Sequence, residues 1–264
     1  MKRVNLFLRL LLIVFVIVFG VSFFTKNRLV QINDIHAATF KDPIQTAITK
    51  SPTINFKSGD YQYITSPLFD YKITGVVVSK HDYNPSDDNI EKPIRYDLCI
   101  VWGQNVKDKI YLSSKLSFSQ GNRFCNYNYS EPVSFDTNQI SNNHLVTIND
   151  VILDRIKSIN TGDEVTVSGK LINMTASGNY NDDTAPHGMS WSTSTIRTDT
   201  GAGACEVILV DSVDVLTSVH ETDSTVNMYS LLAIAGVMAI FVLELIAAFF
   251  YIKPKTKSPG GFIH

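Results

Sequence analysis

The chain has 264 residues, of which 44% are hydrophobic and 18% are charged, and its formal net charge is −2. Soluble domains carry roughly 25% charged residues, so this composition predicts apolar segments in addition to a globular core. The length allows one or two domains. Glycine and proline number 14 and 9, and no short repeat is present, which excludes collagen-like, low-complexity and solenoid architectures.

The first element is an apolar run from Val4 to Phe24 that follows Lys2 and Arg3. Its core is as long as the hydrophobic region of a signal peptide, and small residues near its end could direct cleavage. With its first turn included, the run has about 20 residues and can span a bilayer. We expect residues 1–24 to be an uncleaved transmembrane anchor, and a cleaved signal peptide is the alternative.

A second apolar run extends from Met228 to Ile252 and contains one ionisable residue, Glu244. At roughly 1.5 Å per residue, a helix of this length crosses a bilayer at a tilt. We predict a transmembrane helix over residues 226–253 and a tail over residues 254–264. A carboxyl group in a membrane is costly, so Glu244 is either a membrane contact with another helix or a hydrated or protonated group near the interface. No polar partner for it is expected within this chain.

Basic residues flank both apolar runs, and they are Lys2, Arg3, Arg9, Lys253, Lys255 and Lys257. The positive-inside rule then predicts a two-pass protein of the cell membrane, with both termini cytoplasmic and residues 25–225 extracytoplasmic. The central segment has 17 Lys and Arg against 24 Asp and Glu, a net charge of −7. Such a surface lacks the basic footprint that binds phosphate backbones, so nucleic acid is not an expected partner. The two apolar runs make the lipid bilayer an expected partner.

The central segment has the period-two pattern of β-strands. Strands are predicted over Tyr71–Ser79, Tyr96–Trp102, Ile110–Phe118 and Phe124–Tyr129. In the second of these strands two faces alternate, with Leu98, Ile100 and Trp102 on one face and Asp97, Cys99 and Val101 on the other. These strands predict a meander.

One amphipathic helix follows, with Asn149 or Asp150 as its N-cap. The next strand, Gly162–Ile172, is separated from a last strand, Cys205–Leu216, by about 30 residues rich in Gly, Asn, Asp, Ser and Thr. This separation predicts a long loop that is either elaborated for a role or mobile.

The order of these strands around one helix resembles the OB-fold, a five-stranded Greek-key barrel with its helix between the third and fourth strands. Residues Gly162–Leu171 are similar to the fourth strand of that fold, where a Gly-Asp turn leads into a curved strand with a glycine kink. Residues Ile208–Leu216 are similar to its closing strand. The resemblance covers residues 70–216 and implies a mainly β fold: an OB-like barrel with one helix and a long loop insertion, flanked by two transmembrane helices. A jelly roll or sandwich is the alternative.

Four segments are also similar to bacterial proteins of no assigned function, and they are Asp97–Gly103, Ser119–Phe124, Asn142–Leu145 and Trp191–Glu206. On these residues the chain resembles an uncharacterised bacterial family of membrane-anchored extracytoplasmic proteins. The resemblance implies no activity and no cofactor.

Three cysteines in an oxidising compartment can form at most one internal disulfide. Cys99 lies in the middle of a predicted strand, where a cysteine usually packs as a small buried hydrophobic residue. Cys125 and Cys205 lie nearer to strand starts and are the predicted pair.

Cys205 is also a candidate nucleophile, with His144 or His187 as its base. No signature of a cysteine hydrolase surrounds it, and the structural alternative is a glycine turn that leads into a buried cysteine. An exposed sulfur beside either histidine would favour an enzyme, whereas a buried or bridged sulfur would exclude one.

Acidic residues cluster in two loops, at Asp87 and Asp88 and at Asp182 and Asp183. They lack the alternating spacing of a calcium loop, and a lone histidine beside the second pair makes a poor zinc site. We therefore predict no metal site and no cofactor.

A candidate binding surface combines Trp191, Arg197 and Asp199 with Arg123, because Trp and Arg are favoured where a surface anchors a partner. Alternatively, Arg197 and Asp199 form a structural ion pair while Trp191 covers a barrel end. The pattern favours a non-enzymatic binding or scaffold protein of the bacterial envelope. Its partner would be another envelope or membrane protein, a peptide or a glycan. The alternative function is an extracytoplasmic cysteine-dependent hydrolase or thiol enzyme.

Overall fold

The computed structural model describes residues 2–25, 28–50, 52–178, 188–196, 198, 199, 201 and 203–251. The chain divides into two compact units, one that holds the two terminal helices and one that comprises Lys26–His220. The boundaries lie close to the predicted ends of the central segment at residues 25 and 225.

The first unit consists of α1 (Lys2–Thr25) and α4 (Glu221–Tyr251). Both helices are long and apolar enough to cross a membrane, over Asn5–Thr25 and Glu221–Ala248. α4 begins earlier than predicted because acidic residues occupy its first turn, where they interact favourably with the positive end of the helix dipole.

Polar side chains join the two helices of this unit. The Nδ2 atom of Asn227 donates to the carbonyl oxygen of Phe19 and to Oγ of Ser22, at 3.2 Å in both cases. Near the other end of the pair, Glu244 lines one groove together with Asn5 and Arg9. The prediction that Glu244 has no polar neighbour in this chain is therefore wrong. The antiparallel helices bring the start of α1 beside the end of α4.

The larger unit is mainly β. Its strands are β1 (Ile44–Ala47), β2 (Ile54–Ser58), β3 (Tyr61–Asp82), β4 (Tyr96–Val101), β5 (Leu116–Gly121), β6 (Phe124–Tyr129), β7 (Ile140–Val146), β8 (Glu164–Ser177), β9 (Gly188–Trp191) and β10 (Glu206–Thr217). Its helices are α2 (Gln104–Lys107) and α3 (Asp150–Ser158), with short 3-10 turns at Ala37–Phe40, Lys92–Ile94 and Ile110–Leu112.

Eight strands form one sheet, and β5 and β6 form a separate hairpin. In the large sheet β3 pairs with β4, β4 with β7, β7 with β10, β10 with β8, and β8 with β3. The β7–β10 pair is parallel and the other four pairs are antiparallel. β1 and β2 pair with β3, and β9 pairs with β8. In the chain, α3 lies between β7 and β8.

The main core packs one face of the large sheet against α3. Its buried side chains include Leu98, Ile100, Val165 and Ile156. Asn149 caps α3, since its side chain accepts from the N–H groups of the first turn at 2.9 and 3.2 Å. A Cβ atom at Gly169 would collide with a carbonyl oxygen of β10, so this glycine permits the close approach of β8 and β10.

The opposite face of β4 is buried as well, beneath the β5–β6 hairpin. Cys99 and Val101 belong to a second layer of apolar side chains that also contains Tyr111. The predicted strand over Ile110–Phe118 is wrong in its first half. Lys109 takes a left-handed φ of 57°, which turns the chain and places Tyr111 in this layer before β5 begins.

The long loop predicted between the last two strands is partly a strand. β8 continues to Ser177, and β9 pairs with it so that Met174 lies opposite Trp191. Asp182, Asp183 and His187 lie outside the described residues.

Candidate functional site

A cavity of about 280 Å³ opens beside the start of β10. Its walls come from the β5–β6 hairpin, from β7 and from the segment that leads into β10. The lining side chains with polar or sulfur atoms include Cys125, Tyr127, Ser141, Asn142, Asp199 and Cys205. Two of the three cysteines of the chain therefore face one cavity.

The disulfide joins Cys99 to Cys125, with 5.6 Å between the two Cα atoms, and Cys205 is free. The predicted Cys125–Cys205 pair is wrong for this structure. The β5–β6 hairpin covers the outer face of β4, so Cys125 lies over Cys99. Cys205 directly precedes β10, which is separated from β4 by β7.

Two polar side chains from neighbouring strands, Asp97 and His144, lie near Cys205. Asp97 on β4 lies directly opposite His144 on β7, and its Oδ1 atom is 2.8 Å from Nδ1 of His144. Cys205 lies close enough to His144 to act on the pKa of its ring. Asp97 is fully buried and the His144 side chain is 5% exposed, whereas Cys205 is half-buried. A carboxylate, an imidazole and a thiol in this order match the arrangement of a nucleophile, its base and the group that orients the base.

His144 carries a positive charge at neutral pH. Burial of its ring disfavours the charged form, but the hydrogen bonds and charges of Asp97 and Cys205 outweigh burial and raise the pKa of His144 to about 9. A protonated imidazole beside a thiol is the setting in which cysteine attacks as a thiolate.

The side-chain amide of Asn142 contacts the thiol. Its Nδ2 atom lies 3.2 Å from Sγ of Cys205 and donates to the carbonyl oxygen of Arg123 at 2.7 Å. Gln120 donates to Oδ1 of Asn142 at 2.7 Å, which fixes the amide with its NH2 group towards the sulfur. A donor held in this way can stabilise negative charge that develops next to the sulfur.

Arg123 contacts Asp97, the residue that is paired with His144. It lies in the turn of the β5–β6 hairpin, with a left-handed φ of 66°. Its guanidinium contacts Oδ1 of Asp97 at 3.1 Å and Oε2 of Glu91 at 2.8 Å, and it stacks 3.7 Å from the ring centre of Tyr83. With its side chain 17% exposed, Arg123 orients Asp97 rather than offering a free binding surface.

The other residues of the predicted binding surface are only partly brought together. Asp199 lines the cavity and accepts from Oγ of Ser194 at 2.5 Å. Trp191 packs against an apolar cluster that contains Tyr63 and is not among the residues that line the cavity. Arg197 lies outside the described residues.

Asp97 and Asn142 are the site residues that sequence reasoning missed. An aspartate inside an otherwise apolar strand was the available signal for Asp97, and no spacing rule connects it to His144. Among the described residues, no group of three or more His, Cys, Asp and Glu side chains could hold a metal ion. Comparison with known proteins finds no family model, no curated protein and no solved structure that matches the chain.

Proposed function

We propose that this chain is a membrane-anchored extracytoplasmic enzyme that performs acyl transfer with Cys205 as its nucleophile. The observation that carries the proposal is that the half-buried thiol of Cys205 lies near His144, whose ring is paired with the buried Asp97. His144 serves as the acid and base, and Asp97 orients its ring. Asn142 supplies the donor for the developing oxyanion.

The reaction would proceed in two steps. In the first, the thiolate of Cys205 forms a C–S bond to the substrate carbonyl carbon, and the carbonyl electron pair moves to the oxygen near Nδ2 of Asn142. Protonated His144 then gives its proton to the leaving group as the acyl bond breaks. In the second step, neutral His144 takes a proton from water, which attacks the thioester and releases the acid and the thiol.

We also propose that the β unit is an OB-like barrel. The cyclic order of pairing among β3, β4, β7, β10 and β8 supports this, as do the parallel β7–β10 pair and the position of α3 between the third and fourth of these strands in the chain. Membership of the uncharacterised bacterial envelope family remains part of the proposal.

The proposed topology places both termini in the cytoplasm and the β unit outside it. Its support is the basic residues that flank the two apolar helices. Of these residues, Lys253, Lys255 and Lys257 lie outside the described residues.

A non-enzymatic binding or scaffold role is the second candidate. Neutral polar and aromatic side chains line the cavity, among them Asn126, Tyr127, Thr137 and Ser141. Such side chains supply adaptable hydrogen bonds and stacking surfaces for a peptide, a glycan or an exposed segment of another envelope protein. In this role the Cys205 thiol would have no chemical part.

The test is acylation of the full-length protein in detergent by p-nitrophenyl acetate. We expect a burst of p-nitrophenolate and an acetyl group on Cys205, identified by peptide mass spectrometry. Cys205→Ser abolishes both, and His144→Gln slows acetylation by about 100-fold, the scale of a lost general acid or base. Acetylation that is equal in wild type and Cys205→Ser would reject the enzyme and favour the binding role.

A further inference from the structure

The cavity places a free thiol and a disulfide side by side. We propose that the thiolate of Cys205 attacks Cys125 and displaces Cys99. The resulting Cys125–Cys205 disulfide then oxidises an external dithiol. This activity shares its nucleophile with the proposed acyl transfer, but it needs no acyl substrate.

The contacts around Asn142 place Cys205 next to residues that neighbour the disulfide. Asn142 lies directly opposite Cys99 in the β4–β7 register, and its Nδ2 atom is 3.2 Å from Sγ of Cys205. Sγ of Cys205 also lies 4.0 Å from the carbonyl oxygen of Arg123, two residues before Cys125 on the hairpin. Cys205 therefore lies beside the hairpin that carries Cys125, and both cysteines line the same cavity.

The disulfide has one accessible end. Cys99 is fully buried, whereas Cys125 is half-buried and lines the same cavity as Cys205. A thiolate that enters from the cavity therefore meets the sulfur of Cys125 and expels the sulfur of Cys99. Protonated His144 keeps its positive charge beside the attacking group, as in other reactive cysteine sites.

The segment before Cys205 can adjust for this step. Gly201 and Gly203 take φ values of 83° and 98°, a region that glycine enters without strain, and neither has an atom within 4 Å of an added Cβ. Cys205 itself precedes the first residue of β10, so its movement breaks no strand pairing. The side-chain contacts of Cys205 with Asn142 and with the carbonyl oxygen of Arg123 must be released, while its backbone carbonyl can still accept from the N–H of Ser194 at 2.8 Å.

The chemistry balances without a further oxidant. The Cys205 thiolate forms a bond to Cys125 and breaks the Cys99–Cys125 bond, which leaves a Cys99 thiolate. One thiolate of the external dithiol attacks Cys205 and releases Cys125, and its second thiolate then closes its own disulfide and releases Cys205. Two electrons and two protons pass from the dithiol to Cys99 and Cys125.

Single serine variants of the full-length protein test the exchange by non-reducing peptide mass spectrometry. Cys99→Ser is expected to contain a Cys125–Cys205 disulfide, and its Cys205 no longer reacts with iodoacetamide. Cys125→Ser is the matched control, because it also retains two cysteines but is expected to keep both thiols free. Two free thiols in folded Cys99→Ser would overturn the proposal.

A second measurement does not depend on the folding of Cys99→Ser. We expect dithiothreitol to reduce the Cys99–Cys125 bridge about ten-fold more slowly in Cys205→Ser than in wild type, because Cys205 can then no longer attack Cys125. Equal rates would overturn the proposal. Acetylation of Cys205 without disulfide exchange would support acyl transfer and reject the thiol oxidation proposed here. Disulfide exchange without acetylation would support thiol oxidation and reject acyl transfer.

Discussion

Replacing His144 with glutamine should remove a contribution to stability that depends on pH. The pKa of His144 rises from 6.5 to about 9 in the fold. Because one pKa unit corresponds to about 1.4 kcal/mol, the charged ring stabilises the folded protein by about 3 kcal/mol. The folded pKa lies above the unfolded value, so this stabilisation is complete below pH 6.5 and is lost as the pH rises through about 9.

Urea unfolding of wild type and His144→Gln at pH 6 and pH 10 measures this effect. Tryptophan fluorescence reports on the β unit, since Trp102 and Trp191 both lie within Lys26–His220. We expect the difference in unfolding free energy to be larger at pH 6 by about 3 kcal/mol. The same comparison in a Cys205→Ser background isolates the part due to Asp97. A difference that is the same at both pH values would refute the reasoning.

The same unfolding assay tests three structural assignments. Gly169→Ala should cost about 2 kcal/mol because the new Cβ meets the backbone of β10, whereas Gly121→Ala, with no atom within 4 Å of its Cβ position, should cost far less. Asn149→Ala should cost about 1 kcal/mol through the lost N-cap of α3, and a mutant as stable as wild type would contradict the cap. Lys80→Met should cost about 2 kcal/mol because the ammonium donates to three carbonyl oxygens at the end of α3, at 2.8 to 2.9 Å. The exposed Lys72→Met is its control, and equal losses in the two variants would contradict that role.

The elements that were predicted correctly are those that a short stretch of sequence identifies. Strand alternation located β4 and β6, and the N-cap at Asn149 located the start of α3. The first half of β3, which contains Pro67, was not predicted. This proline is tolerated there because the pairing of β3 with β8 shifts register beside it.

The site depends on packing between distant segments, which the sequence pattern does not encode. Asp97 and His144 meet only because β4 and β7 pair in one register, and a shift of one residue would turn one side chain to the other face. The disulfide likewise depends on the β5–β6 hairpin folding over β4. Cys205 was a candidate from the start, but its partners Asp97 and Asn142 required the structure.

The most direct test of a thiol activated by His144 is the rate at which iodoacetamide alkylates Cys205, the free cysteine of the chain. We expect wild type to react at pH 6 at least about ten times faster than His144→Gln, because only wild type holds an imidazolium beside the sulfur. The two rates should converge above pH 9, where His144 loses its proton. Equal rates at pH 6 would contradict the account.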